Sequence, residues 1–400
     1  MRKYEASIKR IWEWFHKPGL ENYIFLILAT LLALSIRISL LRFRSVDYPA
    51  FQLWYDVIQR KGIRAFANNF SDYNPPYLYL LYLIVRFLPA VNEVVAIKIP
   101  SLISDFVCAG FIYQLVKLKN QNKDLALLAY LATLLSPSVI LNGSFWGQAD
   151  SIYTAGLAAC LYFLMIKKNW LALISFGIAF AFKLQAVFLL PFLLILWLKR
   201  EISWKHFLMI PLVYLISILP TWLIGRSLVS LLNIYNSQTS EFKGLALNAP
   251  TLYAWIPSKT EPFAMLFPAG IAFSATVILA FVFVVYRSQT RLNPKQLISL
   301  ALFTVLIVPF TLPEMHERYF FPADVLSIAF GFYFPDYFYV PLTINLISFF
   351  SYLYFLLGAG PIPIAYLALA MAVIIAVVGR MVYRSLYQSN NDHPAAEIQP

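Results

Sequence analysis

Apolar residues run in long, almost unbroken stretches along this chain, separated by short polar connections. A strand pattern would alternate every second residue; these runs do not. In lipid every backbone N–H and C=O must be satisfied within its own segment, so stretches of this kind read as helices. About 20 apolar residues cross a bilayer core. The runs predict twelve helices, at about 23–41, 94–116, 124–141, 151–166, 170–183, 185–198, 206–223, 264–286, 296–312, 320–334, 339–357 and 362–383. A further run, YLYLLYLIVRFL from Tyr77 to Leu88, follows Pro75 and Pro76 and is rich in Tyr. That pattern suits a helix lying at the membrane surface. Residues 42–93 then form one long loop carrying two short interfacial helices, and 224–263 a second long loop.

The expected fold is therefore all-α, a polytopic membrane protein of about twelve transmembrane helices in a single membrane domain, 1–400. Sidedness follows from Lys and Arg in short connections, which favour the cytoplasm. With the N-terminus inside, the inner connections hold 18 of the 31 Lys and Arg residues, in groups around 2–17, 117–123, 167–168, 199–205, 287–295 and 380–384. The short outer connections hold chiefly Lys183 and Arg318. Both termini are expected in the cytoplasm. Counting Tyr77–Leu88 as a span would move four of those basic groups outside, which argues against it.

Composition adds two exclusions. The net charge of +12 is scattered between apolar runs instead of forming one basic face, so nucleic acid is not an expected partner. The two cysteines, Cys108 and Cys160, fall inside apolar runs and read as small core residues. No Walker loop, GxGxxG, HExxH, CxxC or DxD is present, so neither a cofactor nor a metal site is expected.

With this topology the polar clusters all fall on the outer side: SVDYPAF with Asp47, SDYNPPYL with Asp72, and NGSFWGQADSIY with Trp146, Gln148 and Asp150. FKLQ follows with Lys183 and Gln185, and MHERY closes the set with His316, Glu317 and Arg318. Ionisable groups at a membrane boundary are costly and usually persist for function. Each also has a plainer reading. Asp47 marks a helix end; Asp72 before Asn74 and two prolines suits an Asx-turn; Asp150 fits an N-cap; Lys183 can extend its ammonium to headgroups. Lys98 and Asp105, seven apart on one helix, read as an intramembrane pair.

Taken in order, VDYPAFQLWYDVIQRKG, DYNPPYLYLLYL, WGQADSIYTAGL, GIAFAFKLQAVFLLPFLL and LPEMHERYFFPA resemble the GT-C superfamily of integral-membrane glycosyltransferases. The similarity is nearest to bacterial relatives of the mannosyltransferases of GPI-anchor synthesis, and looser to the glucosyltransferases of N-glycan assembly. It spans residues 23–325, with 326–400 as C-terminal helices and a cytoplasmic tail. The resemblance implies transfer of a hexose, mannose or glucose, from a polyprenyl-phosphate donor to a hydroxyl of a lipid-linked or other glycan acceptor on the non-cytoplasmic face. It places Asp47 as catalytic base, and Lys183, His316 and Arg318 beside the carrier phosphate. The first loop carries a single acidic residue, VDY, where some relatives have an acidic pair, which leaves metal dependence open.

The chemistry asks for a base to take the acceptor's proton and for cations to hold the departing phosphate. Direct displacement needs one carboxylate and inverts the anomeric centre. Asp72, Trp146, Gln148, Asp150, Gln185 and Glu317 are then expected around the sugar and acceptor, and Trp255 as a stacking surface. A secondary transporter is the main alternative, although no internal repeat is evident. A lipid-binding scaffold is a third. The sequons at Asn69 and Asn142 lie beside site residues, where a glycan would obstruct them, so a bacterial inner membrane is expected in preference to an endoplasmic reticulum.

Overall fold

A computed structural model describes residues 20–120, 123–238, 244–256, 263–288 and 290–387. All twelve expected segments are helical. Their lengths do not confirm twelve as the count of spans. Among the described residues seven helices are long and apolar enough to cross a membrane: Tyr23–Leu40, Glu93–Lys119, Trp204–Ile224, Ala264–Arg287, Pro294–Thr311, Pro335–Leu357 and Ile364–Tyr387. An eighth is possible if Lys123–Leu135 and Pro137–Trp146, which meet at a 48° bend, make one broken span. Asp150–Met165, Asn169–Phe182 and Leu184–Leu198 are apolar but shorter. A 16-residue helix is only about 24 Å long, less than a typical hydrocarbon core. Hydrophobic character identified these helices; it did not measure them.

Burial sorts the helices by position. The window in Pro294–Thr311 is 83% buried, so this helix runs through the middle of the bundle, whereas that of Tyr23–Leu40 is 11% buried and presents its apolar faces outward. The main core packs Leu300, Val305 and Leu306 of the central helix with Leu157, Leu161, Phe192 and Phe330. Asn293 caps the central helix through a reciprocal pair with Gln296, its side chain accepting from the Gln296 N–H while the Gln296 side chain accepts from the Asn293 N–H.

Side-chain bonds divide the bundle into two ends. At one, Lys119 donates to the Phe332 carbonyl, Lys167 pairs with Glu201, and Lys199 bonds the Ser288 carbonyl. Thr290 and Gln296 reach the carbonyls of Leu386 and Ser385 there. The described basic connections, around 117–123, 167–168, 199–205, 287–295 and 380–384, therefore gather at one end, while the 2–17 group lies outside the described residues. The acidic and amide clusters gather at the other. The first long loop carries two helices, Tyr48–Lys61 and Pro75–Phe87, neither of span length. Two short strands, β1 (Ala246–Leu247) and β2 (Met315–His316), pair in parallel and fasten the second long loop to the MHERY segment.

Lys98 and Asp105 do not pair with each other, which corrects the expectation for that helix. Asp105 is bonded 3.0 Å from Arg37 Nε, both side chains fully buried. Lys98 Nζ instead donates to the carbonyls of Phe43, Ser144 and Phe145 at 2.7–2.8 Å and reaches that of Leu40 at 3.4 Å. Residues seven apart are two turns, about 10 Å, from one another along a helix, so partners on other segments win.

Candidate active site

Asp47 stands at the start of helix Tyr48–Lys61 with Pro49 in its first turn. It marks the helix end, but its side chain makes no capping bond and is free for other partners. Two donors hold one oxygen, Oδ2: Trp146 Nε1 at 2.8 Å and Gln148 Nε2. Gln148 Oε1 accepts in turn from the Tyr73 hydroxyl at 3.2 Å. Among the described residues nothing bonds Oδ1. A half-buried carboxylate with one oxygen pinned and the other uncommitted is oriented to accept a proton from a substrate hydroxyl.

The segment that delivers Trp146 and Gln148 is unusual backbone. Residues Leu141–Trp146 form a π-helical turn, and the N–H groups of Gly147 and Gln148 both reach the Asn142 carbonyl. Gly147 then takes a left-handed φ of 88°, where any Cβ would also press on Lys98 at 3.2 Å. Freed carbonyls need donors in a low-dielectric interior. Lys98 supplies them for Ser144 and Phe145, Ser45 for Trp146 at 2.8 Å, and Ser101 for Gln148 at 2.6 Å.

Asp150 is fully buried and sits one residue inside its helix, not at the cap. Its carboxylate accepts from Lys183 and, at 2.9 Å, from Asn142 Nδ2. Lys183 occupies the break between Asn169–Phe182 and the following 3-10 turn, where its ammonium turns inward to Asp150 and not out to headgroups. Removing one member of a buried pair strands the other charge, at a cost of roughly 3–5 kcal/mol. Asp150→Asn and Lys183→Met are each expected to lower stability, and the double variant by less than the sum, with a coupling of about 2 kcal/mol. Chemical unfolding of the four proteins reads this directly; additive losses would remove the pairing.

Arg318 lies on the short turn Glu317–Phe320 that follows β2. Its guanidinium covers the Trp146 ring at 5.4 Å and lies 5.8 Å from that of Tyr319. Its one hydrogen bond among the described residues is a long one, 3.4 Å from Nη1 to Glu317 Oε1, and Nε is buried with no partner. Burial disfavours the Arg318 charge, but Tyr319, Glu317 and Asp150 outweigh it and raise its pKa. Burial raises Glu317 to about 7, against the opposing pull of Arg318. Burial, then Arg318 and Lys183, push His316 down to about 2, so its imidazole is neutral and cannot act as a phosphate-binding cation. Burial also lowers Lys183, against the attraction of Asp150.

The structure brings together Asp47, Trp146, Gln148, Asp150, Lys183, Glu317 and Arg318: Asp47, Asp150 and Arg318 all act on the Lys183 charge, and Asp47 and Asp150 act on Glu317. Gln185 lies near enough to act on the Tyr319 hydroxyl, and its Oε1 is buried without a partner among the described residues. Trp146 is 1% exposed and stacked on Phe355 at 4.9 Å, with Arg318 also over its ring. It therefore serves as a donor to Asp47 and a floor for Arg318, not as an open sugar platform. Asp72 stands apart, exposed in a different cleft, with its carbonyl accepting from Gln238. Trp255 is half-exposed on the second long loop. Asn142 is fully buried, so its sequon is not a usable glycan site.

Sequence reasoning missed Tyr73 and Lys98 as positioning groups, and, although it placed a helix at 339–357, it assigned no residue of the helix Tyr339–Leu357 to the site. From that helix Tyr352 packs edge-on to Trp146 and reaches Asp324, and Ser351 bonds the Asn248 carbonyl beyond β1. Tyr73 was legible in principle, lying between two residues already singled out. Among the described residues no group of three or more His, Cys, Asp or Glu is placed to hold a metal.

Neither a protein-family model nor a curated protein sequence matches the chain. Solved structures do. ArnT from Cupriavidus metallidurans bound to undecaprenyl phosphate superposes with a TM-score of 0.55 and 11% identity over 90% of this chain and 77% of that one. Its apo form gives 0.53 and 12% over 91% and 78%. ArnT is a GT-C glycosyltransferase. The chain has the GT-C fold. The expected architecture is thereby confirmed at the level of fold, as an all-α, multi-pass membrane protein. At 11–12% identity the likeness concerns the GT-C backbone plan and not individual side chains.

Proposed function

We propose that this GT-C protein is a glycosyltransferase that moves a hexose from a polyprenyl-phosphate donor to an acceptor hydroxyl, with inversion and with Asp47 as general base. The observation that carries the reading is the pairing of two uncommitted groups across Trp146. Asp47 Oδ1 is available for a proton, and Arg318 presents a buried Nε–H without a partner among the described residues. The first suits attack by a hydroxyl and the second suits a leaving phosphate, whose charge an Arg fork stabilises best in a water-poor site. ArnT being seen with undecaprenyl phosphate supports a lipid-linked donor here. Lys183, already neutralised by Asp150, contributes field and shape more than a free cation. The test is purified protein with radiolabelled polyprenyl-phosphate mannose or glucose: transfer or cleavage of the carrier bond supports the reading, and vesicle uptake without cleavage would replace it with transport.

The site end is assigned to the external, periplasmic face of a bacterial inner membrane, because the basic connections gather at the opposite end. A cysteine at exposed Asn68 is expected to label with an impermeant thiol reagent on intact cells, and one at exposed Arg291 only after permeabilisation. Buried Cys108 and Cys160 give no background. The opposite pattern would invert the topology.

A further inference from the structure

A well-defined cleft lies away from the Asp47 site. It has a volume of about 510 Å³ and lies where the first long loop meets the short helices Leu228–Leu232 and Ile234–Gln238. A volume of this order falls within the roughly 300–1,000 Å³ typical of small-molecule sites. Its lining is almost wholly polar, Ile234 being the single apolar side chain among the residues that form it, and it contains no aromatic ring. A lipid tail would find nothing to pack on there, and a nucleobase nothing to stack on. Asn69, Ser230, Asn233 and Ser237 offer hydroxyl and amide groups, and Asp72 and Arg226 supply one acceptor-only and one donor-only group.

Arg226 is the built element of this cleft. It is 4% exposed, and its guanidinium is fixed by Asn69 Oδ1 at 2.9 Å and Ser230 Oγ at 3.2 Å. Both partners are neutral, and among the described residues no carboxylate pairs with it. The cleft also adjoins the catalytic groups through the chain itself. Asp72 lines it, and the next residue, Tyr73, bonds the Gln148 that holds Asp47. On the far side, Asn74 Nδ2 bonds the Ala181 carbonyl, two residues before Lys183.

We propose that this cleft seats the hydroxyl-rich headgroup of the sugar acceptor, held by Arg226, Asn233 and Ser237, an inference that rests on the glycosyltransferase reading. The donor's phosphate belongs with Arg318, so the two substrates approach Asp47 from different sides of the Ser71–Asn74 segment. An acceptor class follows: a saccharide or polyol recognised through its hydroxyl edges, not through stacking.

The test is saturation-transfer NMR on the full-length protein in nanodiscs, with methyl α-mannopyranoside and methyl β-glucopyranoside as probes. Wild type is expected to show transfer to at least one glycoside. Ser237→Trp, which fills the cleft, and Asn233→Ala, which deletes a bonding group, are expected to weaken binding by about ten-fold, or about 1.4 kcal/mol. Excess undecaprenyl phosphate should leave the signal in place. No transfer in wild type, transfer undiminished in both variants, or displacement by the lipid phosphate would each overturn the proposal. If the glycoside behaves as expected while the protein cleaves no lipid-linked sugar, the cleft stands as a saccharide site and the transferase reading falls instead.

Discussion

Asp47→Asn is expected to lower sugar transfer by about 100-fold or more, the usual worth of acid–base catalysis, while donor binding survives. The amide keeps the size of the carboxylate and can still accept one hydrogen bond from Trp146 or Gln148, so the surrounding geometry is retained. What it loses is the ability to take a proton at the position of Oδ1. The fall should therefore appear in kcat, with KM for the lipid donor little changed. The measurement is steady-state transfer from a polyprenyl-phosphate sugar, with unfolding followed in parallel. Normal turnover in Asp47→Asn would dismiss it as the base. Gln148→Leu should reproduce part of the loss, because it removes one of the two donors that pin Oδ2 and breaks the link to Tyr73.

Arg318→Ala is expected to cost about 100-fold to 1,000-fold in kcat/KM for the lipid donor, the scale seen when one charge-stabilising donor is deleted from a preorganised site. Arg318→Lys should recover only part of this, since an ammonium restores charge without the planar fork. The pH dependence sharpens the test. With Glu317 raised to about 7, its carboxyl is neutral below that pH and leaves Arg318 to the phosphate; above it, the carboxylate competes for the same guanidinium. Donor affinity should therefore weaken as pH rises through about 7, and Glu317→Gln should flatten that profile. Unaltered donor kinetics in Arg318→Ala would take Arg318 out of the phosphate site.

The helices were legible because apolar run length is a strong, local signal, and the convergence of WGQAD, FKLQ and MHERY followed from counting sides. What stayed hidden was partner choice. Asp150 and Lys183 were each singled out, yet nothing in their spacing says that they neutralise one another, since 33 positions separate them. The sequence shows that His316 carries a titratable ring, but not the burial and the nearby Arg318 and Lys183 charges that disfavour its cationic form. Trp146 looked like a sugar platform because exposure cannot be read from an aromatic residue alone; Phe355, more than 200 residues away, lies against its ring. Asp72 was grouped with Asp47 through a shared loop, but a one-residue step at Tyr73 is enough to turn the two acids into different clefts.

The ring of carbonyls around Lys98 has a consequence for how this site tolerates its surroundings. Four main-chain oxygens converging on one positive charge is the arrangement by which proteins commonly sequester a monovalent ion, as in channel filters. Here the charge is tethered by its own side chain. A captured ion exchanges with the medium, and the segment it organises loosens when that ion is scarce or replaced by another. The ammonium cannot diffuse away, so the π-turn and the end of the first helix stay registered whatever salts surround them. The architecture around Asp47 is thus insulated from the ionic composition of its surroundings.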